Sequence, residues 1–155
     1  MNKIDLVLFA DYFQFYLQDE PSVGDLGDSW TEEAVQNLFA LAPGIIGVGT
    51  VRNMHVPVTV EIRDSGPEED SNSWDQINEC SIEISSGTLV VAGCTDYFPE
   101  ATRIQVKPGP YRARIFYANL DSLRENGLEG DDKYKVVLWP APFGDPIVLK
   151  HRDTP

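Results

Sequence analysis

The chain has 155 residues, 42% of them hydrophobic and 10% aromatic, a balance that specifies a packed core and excludes a disordered chain. Its formal net charge of −13 is unevenly spread: residues 1–100 hold eighteen Asp/Glu against Lys3, Arg52 and Arg63, whereas residues 101–155 hold nine Lys/Arg against seven acids. A field of that sign repels phosphate backbones and anionic lipid, so nucleic acid and membrane are not expected partners, and it speeds encounter with a basic protein. No apolar run reaches the roughly 18–20 residues of a membrane span. Met1–Ala10 is broken by Asp5 and lacks a cleavage signature, so it reads as a strand and not as a leader.

In chain order, most segments alternate with period two between turn residues. Ile4–Gln18 reads as one long aromatic strand or a pair of strands, followed by a polar loop from Asp19 to Gly27. Ser29-Trp30-Thr31-Glu32 has the pattern of a capping box with Ser29 as N-cap. Ala34, Val35, Leu38, Phe39 and Ala42 then repeat at helical spacing until Pro43-Gly44, which predicts one helix up to that point. Ile45–Val51 and Val56–Arg63 read as a hairpin across Arg52-Asn53, with Pro57 suggesting an edge strand or a bulge. Asp64–Ser73 is an acidic, serine-rich loop. Asn78–Ser85 turns at Ser86-Gly87 into Leu89–Cys94, a hairpin across which Cys80 and Cys94 would be neighbours. With no export signal, both are read as reduced core thiols and the compartment as the cytoplasm. Arg103–Lys107 and Tyr111–Tyr117 form a further pair about Pro108-Gly109-Pro110. A polar insert at Asp121–Asp132 precedes strands at Lys135–Trp139 and Ile147–Lys150, and a polar tail starts at about residue 151. The expected fold is all-β: one antiparallel β-sandwich domain over residues 1–155, of about eight or nine strands, with a single helix inserted in the N-terminal half.

Catalytic signatures are missing. The chain has two histidines, His55 and His151, no Cys-x-x-Cys pair, no Gly-x-Ser-x-Gly elbow and no phosphate-binding or dinucleotide loop, so no enzyme, cofactor or metal is assigned. Asp70-x-Asn72 matches the opening of a calcium loop, but the glycine and closing Glu of that pattern are absent. Two acidic groups stand out as partner-binding candidates: Asp25, Asp28, Glu32 and Glu33 at the helix start, and Glu68, Glu69, Asp70 and Asp75 around the central loop, with Trp74, Tyr97 and Phe98 as flanking aromatics. Acids also complement a helix N-terminus, an ordinary role for the first group. Trp30, Trp139 and the Tyr12–Tyr16 group read as core.

Asp11-Tyr12-Phe13-Gln14-Phe15, Trp30-Thr31-Glu32-Glu33-Ala34-Val35, Gly44-Ile45-Ile46 leading to Arg52-Asn53, and Pro108-Gly109-Pro110-Tyr111 together resemble the competence protein J family of DNA-entry nuclease inhibitors. The resemblance runs from about Phe9 to Tyr117 and leaves the Asp121–Asp132 insert and the chain after Trp139 unmatched. It implies a β-sandwich and a non-enzymatic inhibitor or immunity-type protein that binds a basic partner such as a nuclease. The alternative is a β-sandwich module that binds a carbohydrate, a small molecule or calcium through its loops.

Overall fold

The computed structural model describes residues 2–68 and 71–152. Among these residues eleven strands build two sheets. Sheet A contains β1 (Asn2–Phe9), β5 (His55–Ile62), β10 (Lys133–Pro140), β9 (Gly109–Ala118), β6 (Gln76–Ile84) and β11 (Ile147–Lys150), in that order. Sheet B contains β3 (Phe39–Ala42), β4 (Ile45–Gly49), β2 (Gln14–Asp19), β7 (Thr88–Gly93) and β8 (Thr102–Gln105). Every pairing is antiparallel except β5 with β10. Phe15, Leu17, Ile46, Val48, Leu89 and Val91 of sheet B meet Val58, Val60, Ile82, Ile115, Tyr117, Tyr134 and Val136 of sheet A in one core. The result is the expected all-β sandwich. Among the described residues no helix is long and apolar enough to cross a membrane.

The pairings between sequence neighbours differ from the reading above. Ile45–Gly49 and His55–Ile62 do not form a hairpin: β4 pairs with β2 and β3 in sheet B, while β5 pairs with β1 and β10 in sheet A. The turns at Ser86-Gly87 and Pro108-Gly109 likewise step between sheets, so β6 and β7 are not partners, nor are β8 and β9. Cys80 therefore sits in the core, where burial pushes its thiol up to about 12, and Cys94 lies exposed after β7; both are free. Pro57 lies on an interior strand, opposite Val7, one residue before the parallel register with β10 begins at Val58. The N-terminal aromatic segment is two strands in different sheets, broken at Asp11–Phe13 by a 3-10 turn in which Tyr12 and Phe13 have φ of 61° and 59°.

The helix is shorter than its sequence pattern. α1 spans Glu32–Asn37, and its N-cap is Thr31, whose Oγ1 accepts the Ala34 N–H at 3.1 Å, in place of Ser29. Leu38 ends it in the left-handed region at φ 64°. Phe39–Ala42 is a strand because Pro43-Gly44, with Gly44 at φ +72°, closes a two-residue hairpin onto β4. The apolar residues at 38, 39 and 42 satisfy a helical period and a strand period alike, and the hairpin decides.

A buried ion pair ties the crossover from β4 to β5 onto β10. Arg52 Nε stands 2.9 Å from Asp132 Oδ1, without hydrogen-bond alignment, so the contact is mainly Coulombic. Tyr134 donates its hydroxyl proton to Asp132 Oδ2 at 2.7 Å and accepts the Val51 N–H at 3.0 Å. Burial, then the neighbouring Asp132, hold the Tyr134 phenol far above its ordinary range, so it remains a donor at any working pH. Asp132→Ala strands the Arg52 charge and is expected to lower the unfolding free energy by about 3–5 kcal/mol in urea denaturation. A loss below about 1 kcal/mol, the scale of a surface pair, would contradict this role.

Candidate functional site: the α1 ridge

A helix of six residues is too short to hold itself in water. α1 is held by the opposite sheet. The Asn37 carbonyl accepts Gln76 Nε2–H at 2.6 Å and Asn78 Nδ2–H at 2.7 Å, and the Leu38 carbonyl accepts the Tyr117 hydroxyl at 2.5 Å. Asn78 Nδ2 also donates to the Tyr117 oxygen at 3.0 Å. All three side chains belong to fully buried residues of β6 and β9. Burial raises the Tyr117 phenol far beyond its ordinary range, and the Asn78 hydrogen bond only partly opposes that. The helix end left open by the αL turn is thereby satisfied by fixed donors.

This anchorage presents α1 as a ridge. Glu32 and Glu33 lead it, with Asp25 and Asp28 in the preceding loop, all four exposed and in no ion pair among the described residues. Asp25 Oδ1 accepts the Gly27 N–H at 2.8 Å, and Leu26 and Trp30 lie over Gly47, where an added Cβ would come within 2.9 Å of either side chain. Trp30 Nε1–H donates to Gln14 Oε1 at 2.9 Å. The loop thus lies flat on the outer face of sheet B.

One flank of the ridge is an apolar groove of about 490 Å³ that includes Tyr12, Phe13, Trp30, Val35, Leu38 and Arg152. Tyr12 and Phe13 are 71% and 52% exposed on a backbone that L-residues adopt at a cost. Two exposed aromatics on a strained turn, beside Val35 at 55% exposure, form an exposed apolar patch. The other flank is a groove of about 400 Å³ between α1, β3 and β11.

The second acidic group is elsewhere. Glu68 is exposed, and Glu69 and Asp70 lie outside the described residues. The adjoining chain rests on the outer face of sheet A: Arg114 donates to the Pro67 carbonyl at 3.2 Å, and Gly66 lies against Trp139. That face carries Arg63, Arg112, Arg114 and Lys135, with Glu61 paired to Arg63 and Lys135 and Glu79 paired to both arginines. Glu68 therefore belongs to a segment that rests beside a cationic face. Asp75 Oδ2 accepts the Leu120 N–H at 2.9 Å and so anchors a loop. Trp74 is half-buried on Phe116, at a centroid distance of 5.2 Å, with Lys133 over its ring. Tyr97 is 68% exposed, and Phe98 lies beneath Arg103. No hydrogen bond or ion pair among the described residues joins this group to the α1 ridge. Sequence reasoning placed Tyr12 and Phe13 in the core; the break in alternation at Ala10–Phe13 was the available signal. Among the described residues no group of three or more His, Cys, Asp or Glu is placed to hold a metal ion.

No family profile and no curated protein matches the chain. Two solved structures are similar to it. ComJ from Bacillus subtilis, an inhibitor of the DNA degrading activity of NucA, superposes with a TM-score of 0.68 at 16% identity over 91% of this chain and 96% of that one. At fold level the chain is ComJ-like. The crocagin biosynthetic gene J product superposes with a TM-score of 0.60 at 18% identity, over 92% of this chain and 100% of that one. At these identities the shared property is the fold, and the ComJ-like sandwich spans nearly the whole chain.

Tyr117→Phe removes the donor to the Leu38 carbonyl and leaves the Asn78 amide short of an acceptor. The expected loss of stability is about 1–3 kcal/mol by chemical denaturation. A neutral substitution would show that the α1 end does not depend on this bond.

Proposed function

We propose that the protein is a non-enzymatic inhibitor that occupies a basic partner protein, a nuclease by analogy with the ComJ-like fold. The observation that carries this reading is the α1 ridge: four exposed, unpaired carboxylates fixed beside exposed aromatic anchors. A nuclease must attract phosphates, and carboxylates on a fixed scaffold satisfy that field without offering a scissile bond. Anchors supply residence time and charge supplies the encounter rate. The positions for this role are Asp25, Asp28, Glu32 and Glu33, with Tyr12, Phe13 and Val35 as contact residues. Glu68, Glu69, Asp70 and Asp75 are secondary, given the cationic face beside their loop. Tyr97 and Trp74 lie outside the ridge. A single domain acting in the cytoplasm is part of the same reading.

The test uses purified NucA, the nuclease that ComJ inhibits. DNA cleavage is expected to fall as the protein is added, with an association rate that drops steeply with salt. Neutralising Asp25, Asp28, Glu32 and Glu33 together to their amides is expected to slow association about tenfold or more, while amides at Glu68, Glu69 and Asp70 change it less. Uninhibited cleavage at excess protein, or inhibition indifferent to salt, would contradict the proposal.

A second reading, a small-molecule module, rests on the mainly apolar groove of about 490 Å³. A ligand held there raises the thermal midpoint with the logarithm of its concentration over Kd once that ratio is large; no shift across sugars, apolar acids and calcium would remove this reading.

A further inference from the structure

The open edge of sheet B supplies a docking mode for that partner. β3 is its outermost strand at this side, and the ladder fixes which main-chain groups are in use. On one side of β4, the Asp19 N–H donates to the Gly44 carbonyl at 2.8 Å and the Thr50 N–H to the Phe13 carbonyl at 2.9 Å. Alternation then turns Ile46 and Val48 toward β2. On the other side, the Gly49 N–H donates to the Leu38 carbonyl at 2.8 Å, so Gly47 and Ile45 bond Ala40 and Ala42. The N–H and C=O groups of Phe39 and Leu41 therefore point out of the sheet, and among the described residues no turn or loop bond takes them.

Natural edge strands are commonly blunted by charge, proline or a bulge. Phe39-Ala40-Leu41-Ala42 has none of these and pairs with β4 in unbroken register; its protection is its shortness. The edge opens on the groove of about 400 Å³, with Glu33 and Ala34 of α1 on one wall and Ile147 and Val148 of β11 on the other. Glu33 is exposed and in no ion pair among the described residues.

We propose that β3 accepts an extended segment of the basic partner as an added strand, in which apolar side chains alternate with Arg or Lys. Main-chain bonds to Phe39 and Leu41 supply the affinity, the apolar side chains enter the gap between the sheets, and the basic ones face Glu33. A second copy of this chain is the wrong occupant, because each copy carries −13. The occupant's charge rests on the basic-partner reading above; the free edge does not.

The experiment titrates isotope-labelled protein with the peptide acetyl-Val-Arg-Val-Arg-Val-amide into the millimolar range and follows the amide resonances. The Phe39 and Leu41 amides are expected to shift and to exchange more slowly with solvent, and the same peptide N-methylated at alternate residues is expected not to bind. Leu41→Pro removes one outward donor without touching the β4 ladder and should abolish binding in a folded protein. Glu33→Gln should weaken the peptide roughly two- to fivefold, a surface ion pair's contribution. Unperturbed Phe39 and Leu41 amides, or equal binding of the N-methylated peptide, would overturn the inference. If a Thr-for-Arg peptide binds equally well with the same amide shifts, the added strand stands and the basic-partner reading fails.

Discussion

Two main-chain carbonyls, those of Asn37 and Leu38, receive three side-chain donors from the facing sheet, and the layout of the candidate surface depends on them. They convert six residues with little helical stability of their own into a fixed ridge. They also set Leu38 in its left-handed conformation, which turns the chain into β3. With α1 fixed, its leading acids, the aromatic groove on one flank and the open edge on the other acquire constant positions. A partner would then bind without first ordering the surface, which preserves affinity. Gln76, Asn78 and Tyr117 are buried polar residues on strands, and leaving any donor or acceptor among them unmatched is more costly than the bond is favourable.

Charge follows the same division. Four of the nine bases of residues 101–155 lie on β9 and β10, and three of them, Arg112, Arg114 and Lys135, pair with Glu79 and Glu61 on the outer face of sheet A. The acids of residues 25–33 meet no base at all among the ion pairs of the described residues. Along α1 and the loop before it, four carboxylates thus stand without a compensating ion pair among the described residues. Glu61 is a local counter-example: burial works against its charge, but Lys135 and Arg63 hold its carboxyl below the ordinary value. Its contribution to stability is present above the unfolded carboxylate range and is lost as the pH falls through the lowered value.

Strand existence was legible because alternation of apolar and polar residues records which face of a sheet is buried. Strand partnership was not. In a sandwich a two- or three-residue turn can either fold a chain back within a sheet or carry it across to the other, and Ser86-Gly87 and Pro108-Gly109 do the second. Leu38, Phe39 and Ala42 fit both periods, so the end of α1 was set by Pro43-Gly44 closing a hairpin, a tertiary outcome. The resemblance carried by Asp11–Phe15 and Trp30–Val35 identified the right fold, since a ComJ-like sandwich superposes on nearly the whole chain. Of the surface, the acids of α1 were visible as a cluster. Tyr12 and Phe13 were hidden because exposure is not written in residue type, and the free edge of β3 because an unpaired strand is a property of sheet order.

Sheet A holds α1 in place. Amide hydrogen exchange of Asn78→Ala against the unsubstituted protein tests it most directly. The Val35 and Leu38 amides are expected to lose protection selectively, while those of Leu17 and Val91 in the centre of sheet B keep theirs. Unchanged exchange along α1, or an equal loss everywhere, would contradict the claim.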